Sequence, residues 1–267
     1  MQSPTNTLEL SLEGAKLIVT LNRPAQSNAL NSELVAGLDW VFTQLKQRED
    51  IRVVLLQAKG KNFCAGLDMR DPSFVPEERS VKHLWRIQRR IAAIYQAMRA
   101  CPQPIVATVQ GAAAGGGFSL ALASDVRILA QDARMNAAYI KIGLTGCDMG
   151  SSYFLPRLVG TSIASELLLT GRFIHAQRAL AIGLASEVVD ADQLATSGHA
   201  LLDDMLSNTP MGLRLTKETL NYSINASSLE AAMAFEDRHQ TLLSLTADSA
   251  EAITAFLEKR SPIYHDH

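Results

Sequence analysis

Cysteine is scarce in this chain of 267 residues. Cys64, Cys101 and Cys147 are too few and too scattered for a disulfide framework or a zinc site. Neither sign of charge prevails, since 25 Lys and Arg face 27 Asp and Glu for a net charge of −2. That balance gives no reason to expect nucleic acid or an anionic membrane as partner. No apolar run approaches the roughly 20 residues of a membrane span. The opening MQSPTNTLELSLEG lacks the basic-then-apolar order of a signal peptide. None of the six histidines stands at metal-ligand spacing. These absences leave a cytoplasmic protein with no metal as the expectation.

What is present is a large apolar fraction, 47% hydrophobic residues against 19% charged, enough for a sizeable core. LELSLEG and KLIVTLNR read as two strands of a hairpin around Glu13 and Gly14. SNALNSELVAGLDWVFTQLKQRED has helical spacing, with Asn31 or Ser32 as its cap. IRVVLLQAKG and PIVATVQG are buried-strand runs. Between them lie a loop over residues 61–79 and a long helix over 80–101 carrying Trp85, Ile87, Ile91, Ile94 and Met98. A glycine run, a short helix and the strand-like DVRILAQ follow. Strands alternating with helices predict an α/β core over 1–195. From there the pattern is helical, giving a C-terminal region over 196–267 that packs on itself or on a neighbouring subunit.

The glycine run, in AAAGGGFSLALASD, needs a reason, because glycine in a helix costs about 1 kcal/mol relative to alanine. A dinucleotide fingerprint fails, since Leu120 occupies the position of the third glycine. A phosphate loop fails for want of Gly-Lys-Ser/Thr. Two readings remain: close helix–strand packing, or backbone N–H groups at a helix start that stabilise charge on a carbonyl oxygen. G-F-S-L-A over residues 117–121 also approaches the hydrolase elbow G-x-S-x-G, with Ser119 as nucleophile. The preceding strand is expected to end near Gln110, too far upstream for that turn.

LNRPAQSNALN, GKNFCAGLDM, VQGAAAGGGFSLALASDVRI, LPRLVGTSIASELLLTGRFIHAQRALAIGLASEVVD and FLEKR, taken in order, resemble the crotonase (enoyl-CoA hydratase/isomerase) superfamily over nearly the whole chain. The resemblance implies a spiral of ββα units with a C-terminal helical region that makes trimers or dimers of trimers. It implies acyl-CoA thioesters as substrates, coenzyme A arriving as part of the substrate, and no permanently bound cofactor. The implied oxyanion-hole donors are the N–H groups of Leu67 and Gly116. The loop with Phe63, Ala65, Gly66 and Asp68 would embrace the coenzyme. Arg70 would sit near its phosphates, where an arginine serves as well as the lysine usual there. Ala25 and Gln26 stand where members often carry a basic residue after LNRP.

Hydratases of that superfamily use two glutamates, one to activate water and one to deliver a proton. Here Ser119 and Tyr139 hold those positions, and neither is a good base near neutrality. The glutamate kept by isomerases is absent too. LTGCDMGSSYFLPRLVG resembles the segment of 4-chlorobenzoyl-CoA dehalogenase in which an aspartate attacks the ring, with an aromatic residue upstream. That match gives Asp148 the role of acid/base or nucleophile and Tyr139 the aromatic position. His83 lies too far upstream to supply the assisting histidine, so dehalogenation itself is not expected. The plainer role for Asp148 is a helix N-cap. Asp125 is read as structural, Cys147 as an unactivated thiol, and Glu236 as a surface charge paired with Arg238 or His239. A non-catalytic acyl-CoA binding protein that kept the pocket is the alternative to an enzyme.

Overall fold

The computed structural model describes residues 1–75 and 80–267. The hairpin forms as read, β1 (Leu8–Glu13) antiparallel to β2 (Lys16–Leu21), with Gly14 at φ +60° in the turn. Asn31 caps α1 (Ser32–Gln44), its side chain accepting from the Leu34 N–H at 2.9 Å. β3 (Val53–Ala58), α2 (Val81–Ala100) and β4 (Ile105–Val109) follow. The short β5 (Ala112–Ala114) then leads straight into α3 (Gly116–Ala123). Next come β6 (Val126–Ala130), β7 (Arg134–Asn136), α4 (Ser151–Val159), α5 (Thr161–Thr170), β8 (Ile174–His175), α6 (Ala176–Ala181) and β9 (Glu187–Val189). Part of the predicted loop over 61–79, residues 76–79, lies outside the described residues.

β1, β2, β3, β4, β6 and β9 form one sheet in that order, parallel from β2 onward. β5, β7 and β8 form a second, smaller sheet. Two consecutive strands and a helix recur as β1–β2–α1 and β4–β5–α3, the later unit sending its second strand to the small sheet. Strand periodicity explains how the main sheet is buried on both sides. Val54 and Leu56 join the large core beneath α1 and α2, while Val53 and Leu55 join a smaller one with Leu194 and Leu202.

Those leucines belong to α7 (Leu194–Leu206), which crosses the expected boundary at 195/196 and packs on β3, β4 and β6. The helices beyond it are α8 (Pro210–Ser223), α9 (Leu229–Ser244) and α10 (Ala247–Glu258). α8 is pinned by the buried Lys217, whose Nζ reaches Asp125 at 2.9 Å and the Gln103 carbonyl at 2.8 Å. Asp125 also receives Arg99 at 2.6 Å and the Ile105 N–H at 2.8 Å, the structural part expected of it. α9 buries none of its residues, and Leu229 and Phe256 of α9 and α10 are 72% and 82% exposed.

Trp85 departs from the expected apolar face of α2, being 64% exposed. The fully buried residues of that helix run only from Ile91 to Met98, and its first turns, up to Arg86, are exposed.

Candidate active site

The site forms where the loop after β3 meets the start of α3. Residues 62–68 are stitched on two edges. Cys64 exchanges bonds with β5, its N–H to the Ala112 carbonyl at 3.0 Å and its carbonyl from the Ala114 N–H at 2.9 Å. On the other edge the Gly66 carbonyl and Asp68 N–H pair with Leu30 at 2.7 and 2.9 Å. Successive peptide groups of an extended segment face opposite edges. The Leu67 N–H is therefore turned from Leu30 toward the side where β5 has ended and α3 begins. It has no acceptor among the described residues.

Gly116 is the first residue of α3, so its N–H has no intrahelical acceptor either. The two segments touch backbone to backbone. A Cβ on Gly66, which sits at φ +99°, would lie 2.9 Å from the Ala114 carbonyl and 3.6 Å from the Gly116 nitrogen. A Cβ on Gly117 would lie 2.2 Å from the Cys64 carbonyl oxygen. Close packing and an N–H pair are thus the same feature, and both need glycine. Two such donors, with the partial positive charge of a helix start behind one of them, can receive an oxygen that becomes negative.

Around this helix start lies a cluster of hydroxyls and one carboxyl. Ser119 is fully buried, with its Oγ 3.5 Å from the Tyr139 hydroxyl and 3.4 Å from the Asp148 carbonyl. Tyr139 lies in a 3-10 turn over Ala138–Ile142. Burial pushes its hydroxyl above the ordinary value, so it stays protonated at neutral pH. Asp148 does not cap α4. Gly150 does so at φ +84°, and the Asp148 carboxyl turns away to accept from the Met149 N–H at 2.7 Å and the Gln88 amide at 2.5 Å. Burial raises the Asp148 carboxyl above the usual carboxylate range, and the Met149 and Gln88 bonds only partly oppose it. Met149 sits at φ +50°, a conformation that costs a non-glycine residue of order 1–3 kcal/mol.

Gln88 and Tyr95, both on α2, went unnoticed in the sequence. The Tyr95 hydroxyl donates to the Gly116 carbonyl at 3.0 Å and lies 3.1 Å from the Met149 sulfur. Helical spacing of 88, 91 and 95 on one face was the available signal, but not what that face meets.

The expected coenzyme loop is more structural than its sequence implies. Phe63 has no exposed surface and is a core residue, and Asp68 is tied to Arg23 at 3.0 Å. Ala65 and Arg70 are exposed. Ser119 cannot be an elbow nucleophile. β5 does run directly into the turn, contrary to expectation, but the turn residue is Gly115 and Ser119 lies inside α3. No histidine contacts Ser119 among the described residues. Glu236 is exposed and distinct from the expected pairing, since Arg238 bonds the Ala234 carbonyl and His239 bonds Thr219. Cys147 is exposed, and no metal-holding cluster occurs among the described residues.

Unfolded, an aspartate titrates near about 3.9. Asp148 titrates higher when folded, so its contribution to stability is full below that value and is lost as pH rises through the folded one. The stability of Asp148→Asn relative to the unsubstituted protein is therefore expected to increase with pH across that interval. Urea denaturation at a series of pH values checks this, and a pH-independent difference would contradict the burial argument.

Comparison with known proteins places this arrangement. The enoyl-CoA hydratase/isomerase family profile matches residues 13–267. The probable enoyl-CoA hydratase EchA12 of Mycobacterium tuberculosis is 36% identical over 252 residues, 93% of this chain and 88% of that protein. The 1,2-epoxyphenylacetyl-CoA isomerase of Escherichia coli is 33% identical over 251 residues, 94% and 95% of the two chains. The solved enoyl-CoA hydratase of Bacillus anthracis superposes with a TM-score of 0.92 at 30% identity, covering 98% of this chain and 100% of that one. The fold is the crotonase fold, and the chain belongs to the enoyl-CoA hydratase/isomerase family.

Proposed function

We propose that this protein is an acyl-CoA-processing enzyme that holds the thioester oxygen between the Leu67 and Gly116 N–H groups and moves protons with Asp148. The observation that carries the reading is a pair of N–H groups without an acceptor among the described residues, together with a partly buried carboxyl of raised pKa. Charge that develops on the thioester oxygen is met by donors already in place, each worth roughly 2.7–4 kcal/mol in the transition state. Asp148 takes or returns the proton that the missing glutamates handle elsewhere in the family. Tyr139, held protonated, donates to the acyl group, and Ser119 fixes the Asp148 backbone. Coenzyme A enters with the substrate, along the backbone of residues 63–68 and past Ala65, with the exposed Arg70 meeting a phosphate.

The relatives' names bound the reaction, as hydratases on one side and an isomerase of an aryl-derived acyl-CoA on the other. Three unpaired thiols suit a reducing compartment, so we place the enzyme in the cytoplasm. The exposed apolar faces of α9 and α10 call for a second copy, which supports a homotrimer or a dimer of trimers.

Incubation with a panel of enoyl-, dienoyl- and aryl-CoA thioesters, read by mass spectrometry, is expected to give a product. Asp148→Asn is expected to slow its formation by about 10²–10⁴-fold while thioester binding persists. Thioesters that bind but never react would instead make this a non-catalytic acyl-CoA binding protein. Light scattering behind a sizing column is expected to give three or six times the 29.0 kDa chain mass. A monomer would remove the role given to α9 and α10.

A further inference from the structure

The two oxygens of the Asp148 carboxyl are not equivalent. Oδ1 receives both donors, the Met149 N–H at 2.7 Å and the Gln88 amide at 2.5 Å. Oδ2 has no hydrogen-bond partner among the described residues. Because the Met149 N–H is adjacent in the chain, it fixes one direction only, and rotation about the carboxyl is stopped by the second donor from α2. The same helix carries Lys82, Arg86, Arg89 and Arg90, yet the residue that meets Asp148 is a neutral amide. A guanidinium there would favour the carboxylate strongly and hold its proton affinity low. An amide orients the group without adding a charge that would hold its proton affinity low.

We infer that Gln88 is a positioning residue for catalysis, which saturates Asp148 Oδ1 and leaves Oδ2 as the oxygen that exchanges a proton with the substrate. This rests on the proposed role of Asp148 as acid/base. The other titratable groups near the carboxyl are Tyr95 from α2 and Tyr139 from the 3-10 turn, with the exposed Cys147 adjacent in sequence. No lysine, arginine, histidine or second carboxylate bonds to it among the described residues. The burial that raises its proton affinity is opposed by the Met149 and Gln88 bonds, so loss of the Gln88 bond raises that affinity further.

The test uses two substitutions of opposite sign in the full-length protein. Gln88→Met keeps the length and removes the donor, whereas Gln88→Lys keeps a donor and adds charge. Aspartate labelled with 13C at its side-chain carboxyl is titrated by NMR, the Asp148 signal being the one lost in Asp148→Asn. With Gln88→Met the Asp148 titration is expected to move up, and with Gln88→Lys down. On whichever thioester turns over, Gln88→Met is expected to lower kcat roughly tenfold with KM little changed, as for one lost hydrogen bond to a charged group. The acid limb of its pH profile should follow the NMR titration upward. Titrations that stay put in both variants would overturn the role of Gln88, whatever the activity does. Titrations that move as expected, with kcat and its pH profile unmoved, would leave the Gln88 bond intact and overturn Asp148 as the acid/base and with it the positioning role in catalysis.

Discussion

The structure depends on one close approach of backbone to backbone. The loop after β3 lies so near the start of α3 that a single Cβ at Gly117 would fall 2.2 Å from the Cys64 carbonyl oxygen. Gly66 meets the same limit from the other side, 2.9 Å from the Ala114 carbonyl. That contact aligns an extended segment and a helix start, and each presents an N–H that has no acceptor among the described residues. An oxyanion is stabilised by about 2.7–4 kcal/mol per such donor. Donors already in place bind most tightly when charge appears, which is the sense required of a catalyst.

The acid/base half is built on a different principle. The buried Ser119 hydroxyl and the Tyr139 hydroxyl, the latter held protonated by burial, stand together near the start of α3. One carboxyl, that of Asp148, lies with them, held by Met149 and Gln88. Met149 accepts a left-handed conformation beside it, and Gly150 caps α4 in its place. The strain and the displaced cap are compensated by the large core beneath α1 and α2, which Met149 and Leu155 help to fill. α2 links the two halves, since Tyr95 braces Gly116 and Gln88, two turns away, braces Asp148.

Much of this was legible in the sequence because it is local. Alternating or continuous apolar runs marked β1 to β4, an Asx residue marked the start of α1, and three glycines marked the place where backbone comes close. What was hidden depends on distance along the chain. β5 is three alanines, residues of weak strand preference, and it exists because Cys64 and Arg134 supply partners from elsewhere. The motif at Phe63 did not show its burial, which follows from the core that its loop packs into. The spacing of Gln88 placed it on a helix face but not its partner, since its meaning comes from Asp148, 60 residues away. The place of α7 was hidden for a similar reason: it looks like the helices after it, and only its contact with β3 and β4 shows that it packs on the sheet.

The claim on which all of this rests is that Leu67 and Gly116 jointly bind a thioester oxygen. A crystal structure of Asp148→Asn with an unreacted enoyl-CoA tests it most directly. The account predicts the thioester oxygen within about 2.7–3.1 Å of both nitrogens, with the acyl α-carbon facing residue 148. A thioester bound elsewhere, or with its oxygen turned from either N–H, would contradict it.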